Sequence, residues 1–274
     1  MDRIRQALDL AREQRHQATA EGSAPPEQRR VETRLPVHLA GGLTYTHTRV
    51  FTPDPARLEA NRILDGGGQT HASEAFRMLR TQVLQRMSEH GWRSLAILSP
   101  GENDGKTTTA INLAISLAAD RHHTVLLADC DLRRPAIGSI FGLDVPHGID
   151  DALRGDADVS QCLAHPQDFE RLVLLPARGP MLNSSEVLAG PPGRALVSDL
   201  RARYPDRLVI FDLPPVLAAD DALAFLPLVE CALVVVAERS TRRDDLLRCM
   251  ELVRKTPIVG TVLNKAADTQ AGYG

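Results

Sequence analysis

Six short apolar runs punctuate the chain after residue 90, and segments of helical period separate most of them. SLAIL (94–98), TVLLAD (124–129), RLVLLP (171–176), RLVIFD (207–212), CALVVVA (231–237) and PIVGTVLN (257–264) are all strand-sized. A strand with one wet face alternates apolar and polar residues, whereas a strand covered on both faces reads as a continuous apolar run. The segments Thr107–Asp120, Gly193–Tyr204 and Arg242–Arg254 supply covering helices, and Ser73–His90 forms another ahead of the first strand. Such alternation predicts an α/β fold: a doubly wound, mostly parallel sheet that binds its ligands at the carboxyl ends of the strands.

Three of those strand ends carry chemistry. SPGENDGKTTT (99–109) stands directly after a strand and directly before a helix. A phosphate chain is well met by the amides of a tight loop and the positive end of a helix. Gly105 lets the backbone approach, Lys106 supplies a mobile point charge, and Thr107 offers a hydroxyl to Mg²⁺. The match to G-x-x-x-x-G-K-[ST] is imperfect, since Pro100 stands where the first glycine belongs and Gly101 comes one residue late. Asn103 is expected to tolerate a positive φ there. Gly101, Asn103, Asp104, Gly105, Lys106, Thr107 and Thr108 form the candidate nucleotide loop.

The second strand end, LLADCDLRRP (126–135), sets Asp129 and Asp131 two apart. If the segment stays extended, both carboxylates look toward the loop, one as metal ligand and one as base. The third, LVIFDLPP (208–215), ends a buried strand in Asp212, a Walker-B-type carboxylate placed for Mg²⁺. An isolated Gly-Lys-Thr or Asp-x-Asp is a common turn. In this order and context the three specify a P-loop NTPase fold with deviant Walker motifs, binding ATP and Mg²⁺.

The remaining sequence sets boundaries. Residues 1–35 read as a weakly amphipathic helix followed by a linker rich in Pro, Glu, Gln and Arg. Residues 36–69 form an extended lead-in, in which LTYTHTRVF (43–51) alternates like an edge strand. Residues 70–265 make up the nucleotide-binding domain, and 266–274 a flexible tail carrying Tyr273. The net charge of -3 gives no global field for nucleic acid. No apolar run approaches the roughly 20 residues of a membrane span and no signal-peptide pattern opens the chain, so membrane contact is expected only through a partner. Cys130, Cys162, Cys231 and Cys249 are scattered, which fits reduced thiols in a cytosol better than a metal or iron–sulfur site.

Together the three strand ends resemble those of the bacterial tyrosine autokinases (BY-kinases) of polysaccharide loci, especially the stand-alone type paired with a separate chain-length regulator. In that family a modified Walker A precedes D-x-D-x-R-x-P and D-x-P-P segments. Here these are Gly105-Lys106-Thr107, Asp129/Asp131/Arg133/Pro135 and Asp212/Pro214/Pro215. EAFRMLR (74–80) also fits the family's E-x-x-R-x-x-R helix, whose Glu74, Arg77 and Arg80 share one face. In the family this face joins subunits into a ring.

The resemblance implies phosphoryl transfer from ATP to tyrosine, with Lys106, Asp129, Asp131 and Asp212 as the catalytic set. Thr107, Asp129 and Asp212 would be the Mg²⁺ ligands and Asn264 would lie near the adenine. Asp129 is the preferred base, with Asp131 in the metal shell, though sequence does not separate the two. A transmembrane chain-length regulator, a homo-oligomer and a cognate tyrosine phosphatase are the implied partners. The protein would then lie peripherally at the inner face of the plasma membrane. The family's tail carries a tyrosine cluster, whereas Tyr273 stands alone here. An ATP-binding assembly switch without kinase activity therefore remains an alternative. A MinD/ParA-type positioning ATPase is disfavoured, because Gly101 stands where those proteins carry a second lysine.

Overall fold

The structure, a computed structural model, describes residues 37–38, 44–45, 48–66, 68–203 and 206–266. The predicted N-terminal helix and linker, Tyr204 and Tyr273 lie outside the described residues.

Ten strands are defined: β1 (Val37–His38), β2 (Thr44–Tyr45), β3 (Arg49–Phe51), β4 (Ser94–Leu98), β5 (Thr124–Asp129), β6 (Ala164–Pro166), β7 (Leu172–Leu175), β8 (Arg207–Asp212), β9 (Cys231–Ala237) and β10 (Ile258–Asn264). β1 and β2 pair antiparallel by themselves. The other eight form one sheet in the order β10-β9-β4-β8-β5-β7-β6-β3. Every pairing in it is parallel except that of β6 with β7.

All of β4, β8 and β9 are buried along their whole length, as continuous apolar runs require. Successive side chains alternate between two cores. Ala96, Leu98, Leu126, Ala128, Val209, Phe211 and Val234 face the helices Ser184–Ala189, Pro191–Ala202 and Asp221–Phe225. Leu95, Ile97, Val125, Leu127, Leu208, Ile210 and Leu233 face the helices His71–His90 and Lys106–Ala118. The doubly wound sheet inferred from the sequence is thus the observed one.

The expected 43–51 edge strand is two pieces: β2 turns back on β1, and only Arg49–Phe51 joins the sheet edge, beside β6. Its alternating pattern could not reveal that break. β6 and the five-residue helix Ile137–Phe141 had no sequence signal long enough to be seen. By contrast the His71–His90 helix begins and ends on recognisable caps. The Thr70 hydroxyl accepts the Ser73 amide at 3.1 Å, and Gly91 closes the helix at φ 67°.

Candidate active site

β4, β8 and β5 are neighbours, and register sets Ile97 and Asp129 on either side of Asp212. Three strand ends far apart in sequence therefore open on one place. A cavity of about 510 Å³ lies over them, lined by the 101–108 loop, Asp131, Arg133, Arg134, Pro214, Pro215 and Lys265.

The loop itself is braced from several sides. Asn103 and Gly105 take positive φ values of 62° and 89°, as the imperfect glycine pattern requires. A Cβ on Gly105 would lie 1.9 Å from the Asn264 amide nitrogen, so only glycine fits. Asn264 donates to the Asp104 carbonyl at 2.9 Å and Lys265 Nζ to the Asn103 carbonyl at 2.7 Å. The buried Asp104 carboxylate accepts the Gly101 amide at 2.9 Å and the Thr241 hydroxyl at 2.8 Å. Both of its oxygens are thereby tied into the loop's frame. That matters because a loose carboxylate in a phosphate loop would repel the ligand.

Lys106 opens the Lys106–Ala118 helix and is itself buried. Its ammonium lies 2.6 Å from Asp212 Oδ1 and 3.5 Å from Asp131 Oδ2. Burial by itself would lower its pKa, but the carboxylates of Asp212 and Asp131 outweigh that and hold it above the ordinary lysine value. Thr107 donates to Asp212 Oδ2 at 2.6 Å. Hydroxyl and carboxylate together form a hard oxygen set, which fits Mg²⁺, an ion bound through one or two carboxylates plus substrate phosphates. Among the described residues no group of three or more His, Cys, Asp or Glu is placed to hold a metal without such help.

The two aspartates of the Asp-x-Asp segment flank Cys130, which packs with Ala128 and Leu132 into the core on the other face, and the charges of both act on Lys106. β5 ends at Asp129, and the two carboxylates differ in depth rather than in direction. Asp131 lines the cavity, beside Lys106. Asp129 is fully buried beneath it, and its Oδ2 accepts the Ala136 and Ile137 amides, both at 3.0 Å. Its Oδ1 is buried with no hydrogen-bond partner among the described residues. Burial, and next the charge of Asp212, push the Asp129 carboxyl up to about 7. Burial also raises Asp131, against the opposing pull of Lys106.

Of the other expected site residues, Thr108 lines the cavity, while Asn264 bonds to the loop backbone. Glu74 and Arg77 stand 4.0 Å apart on an exposed helix face. Arg77 donates to the Gly68 carbonyl at 3.3 Å and Arg80 to the Ser116 carbonyl at 3.1 Å. Both arginines are thus bonded within the chain, Arg80 to the loop's own helix. Thr241, Ser184 and Asp221 also serve this site, through Asp104 and Arg133. No motif surrounds them, and only the fold brings them near. All four cysteines are buried, and Cys130 packs in the core between the two aspartates.

Residues 95–272 match the CobQ/CobB/MinD/ParA nucleotide binding domain, CbiA. The chain belongs to this family. Its relatives include bacterial tyrosine kinases. The tyrosine-protein kinase YwqD of Bacillus subtilis is 28% identical over 223 residues, covering 80% of this chain and 92% of that protein. The tyrosine-protein kinase wzc of Salmonella typhi is 32% identical over 167 residues, 61% of this chain but only 23% of its own length. The kinase domain of the Escherichia coli tyrosine kinase ETK superposes with a TM-score of 0.67 at 28% identity, covering 75% of this chain and 80% of that one. The resemblance read from the motifs is therefore carried by homology, and this CbiA-family fold is that of the P-loop NTPases.

Proposed function

We propose that the protein is a Mg²⁺- and ATP-dependent protein-tyrosine kinase that phosphorylates its own Tyr273 and serves exopolysaccharide or capsule synthesis and export. The observation that carries the reading is the convergence of Lys106, Thr107, Asp131 and Asp212 on one cavity at the strand ends. Likeness to YwqD across nearly that protein's whole length supports the choice of reaction.

In this reading the loop amides and Lys106 hold the β- and γ-phosphates, and Thr107 and Asp212 would hold Mg²⁺. The ion, when bound, neutralises charge on the phosphate oxygens. Lys106 must then exchange Asp212 and Asp131 for phosphate. Asp131 takes the proton of the tyrosine hydroxyl, the phenolic oxygen bonds to the γ-phosphorus, and the bond to the β-phosphate oxygen breaks to release ADP. Asp131 is assigned as the base because it borders the cavity, with Asp129 holding the helix beneath it.

The acceptor tail would reach a neighbouring copy, with the Glu74/Arg77/Arg80 face in the ring contact. A transmembrane chain-length regulator would recruit the protein to the membrane and a phosphatase would reverse the reaction. No described helix is long and apolar enough to cross a membrane. Incubation with Mg²⁺-ATP followed by mass spectrometry should find phosphate on Tyr273 and none in Tyr273→Phe. The single tail tyrosine favours one other reading, an ATP-driven assembly switch. Hydrolysis without phosphotyrosine, even with the regulator present, would select it.

A further inference from the structure

Asp221 is a wholly buried carboxylate that the mechanism above does not use. It lies in the segment following β8, whereas Arg133 lies in the segment following β5. The two segments form adjoining walls of the cavity, through Pro214 and Pro215 on one side and Asp131, Arg133 and Arg134 on the other. Asp221 Oδ2 accepts Arg133 Nε at 2.7 Å, and its Oδ1 accepts the hydroxyl of the buried Ser184. The exposed Asp220 adds a second bond to Arg133, from Nη2 at 3.1 Å.

An ionised carboxylate inside a protein is costly unless it is paired and hydrogen-bonded. Here the pairing is asymmetric. Asp221 is 0% exposed, while the arginine it holds is 45% exposed and borders the cavity. A free surface arginine would give up about 2 kcal/mol of rotamer freedom to adopt one geometry. Two carboxylates on Nε and Nη2 settle that in advance, leaving the Nη1 amine as a donor with no carboxylate on it among the described residues. The other cations on this wall and floor are differently engaged: Lys106 lies between two aspartates, and Arg134 is bonded to Glu102 at 2.6 Å across the loop.

We infer that Asp221, backed by Ser184, is a positioning residue that holds Arg133 in the cavity wall to receive the terminal phosphate of a nucleoside triphosphate. The inference deepens the proposed function and rests on its assignment of the cavity to ATP. It does not depend on whether tyrosine is the acceptor. A diphosphate lacks the group that Arg133 meets, so the device separates ATP from ADP. Asp221 acts only through the arginine.

The test is calorimetric binding of Mg²⁺-ATPγS and Mg²⁺-ADP to the full chain, with melting temperature read alongside. A charged hydrogen bond to phosphate corresponds to a roughly ten- to hundredfold effect. Arg133→Ala should lower the ratio of ATPγS to ADP affinity by that factor. Asp221→Asn should lower it several-fold, and should add nothing in the Arg133→Ala background. Ser184→Ala keeps the carboxylate and should give a smaller fall in the same ratio, so it decides the matter if Asp221→Asn does not fold. An unchanged ratio in Asp221→Asn, or in Ser184→Ala where that variant decides, would overturn the inference. So would an equal loss of both nucleotides that persists without Arg133. A shifted ratio in a protein that makes no phosphotyrosine would sink the kinase reading and leave this one standing.

Discussion

Replacing Asp129 by Asn should favour the nucleotide-free folded protein increasingly as pH rises, with a net stabilisation above about pH 7. The carboxyl is buried next to Asp212, and these push its pKa from 3.8 to about 7. Its proton is therefore held more tightly in the folded chain than in the unfolded one. The stabilisation this gives is complete below the unfolded value and is lost as pH rises through the folded value. At 1.36 kcal/mol per unit, the ionised carboxylate costs the folded state about 4 kcal/mol above pH 7 or so. Near pH 5 the same group costs only about 1.5 kcal/mol.

The Asp129→Asn side chain would keep an oxygen for the Ala136 and Ile137 amides while removing the charge. Its NH₂ group would sit where Oδ1 now lies without a partner among the described residues, a loss of about 1–3 kcal/mol that does not vary with pH. The difference between variant and wild type should thus shift in the variant's favour by about 2.5 kcal/mol between roughly pH 5 and pH 8. Urea melts of both proteins at those two pH values, without nucleotide or divalent ions, measure it. A difference that stays constant across the range would refute the claim that burial keeps this proton in place.

Two further substitutions probe the loop. Gly105→Ala forces a methyl group to within 1.9 Å of the Asn264 amide at a φ of 89°, so Mg²⁺-ADP affinity should fall at least about tenfold and stability by about 1–3 kcal/mol. Unchanged calorimetry would show that the loop has another shape. Thr241→Val removes the hydroxyl bonded to the buried Asp104, which should lower stability by about 1–3 kcal/mol and weaken nucleotide binding, while Thr241→Ser restores both.

The sheet was legible because its strands are covered on both faces, which leaves an uninterrupted apolar signature in SLAIL, RLVIFD and CALVVVA. Strand–loop–helix chemistry likewise announced Gly105, Lys106 and Thr107, and Asn103 takes the positive φ its position required. Less legible was how deep each carboxylate lies. Spacing joined Asp129 to Asp131 and both act on Lys106, but Asp129 is buried under the Ala136 and Ile137 amides while Asp131 lines the cavity. The supports were illegible for a different reason. Thr241 and Asp104 are 137 residues apart, and Ser184 and Asp221 are 37 apart. Contacts of that kind exist only once the strands have taken their order in the sheet. Edge pieces such as β6 are too short to carry a period.

The central claim, that tyrosine phosphorylation occurs at the Lys106 cavity and on the tail, is tested most directly by mixing two disabled variants. Lys106→Met keeps Tyr273 but lacks the phosphate-binding ammonium, and Tyr273→Phe keeps the cavity but lacks the acceptor. The account predicts no phosphotyrosine in either variant alone with Mg²⁺-ATP, and phosphate on Tyr273 of the Lys106→Met chain once they are mixed. Phosphotyrosine on Lys106→Met incubated alone, at the wild-type level, would place the chemistry elsewhere and contradict the account.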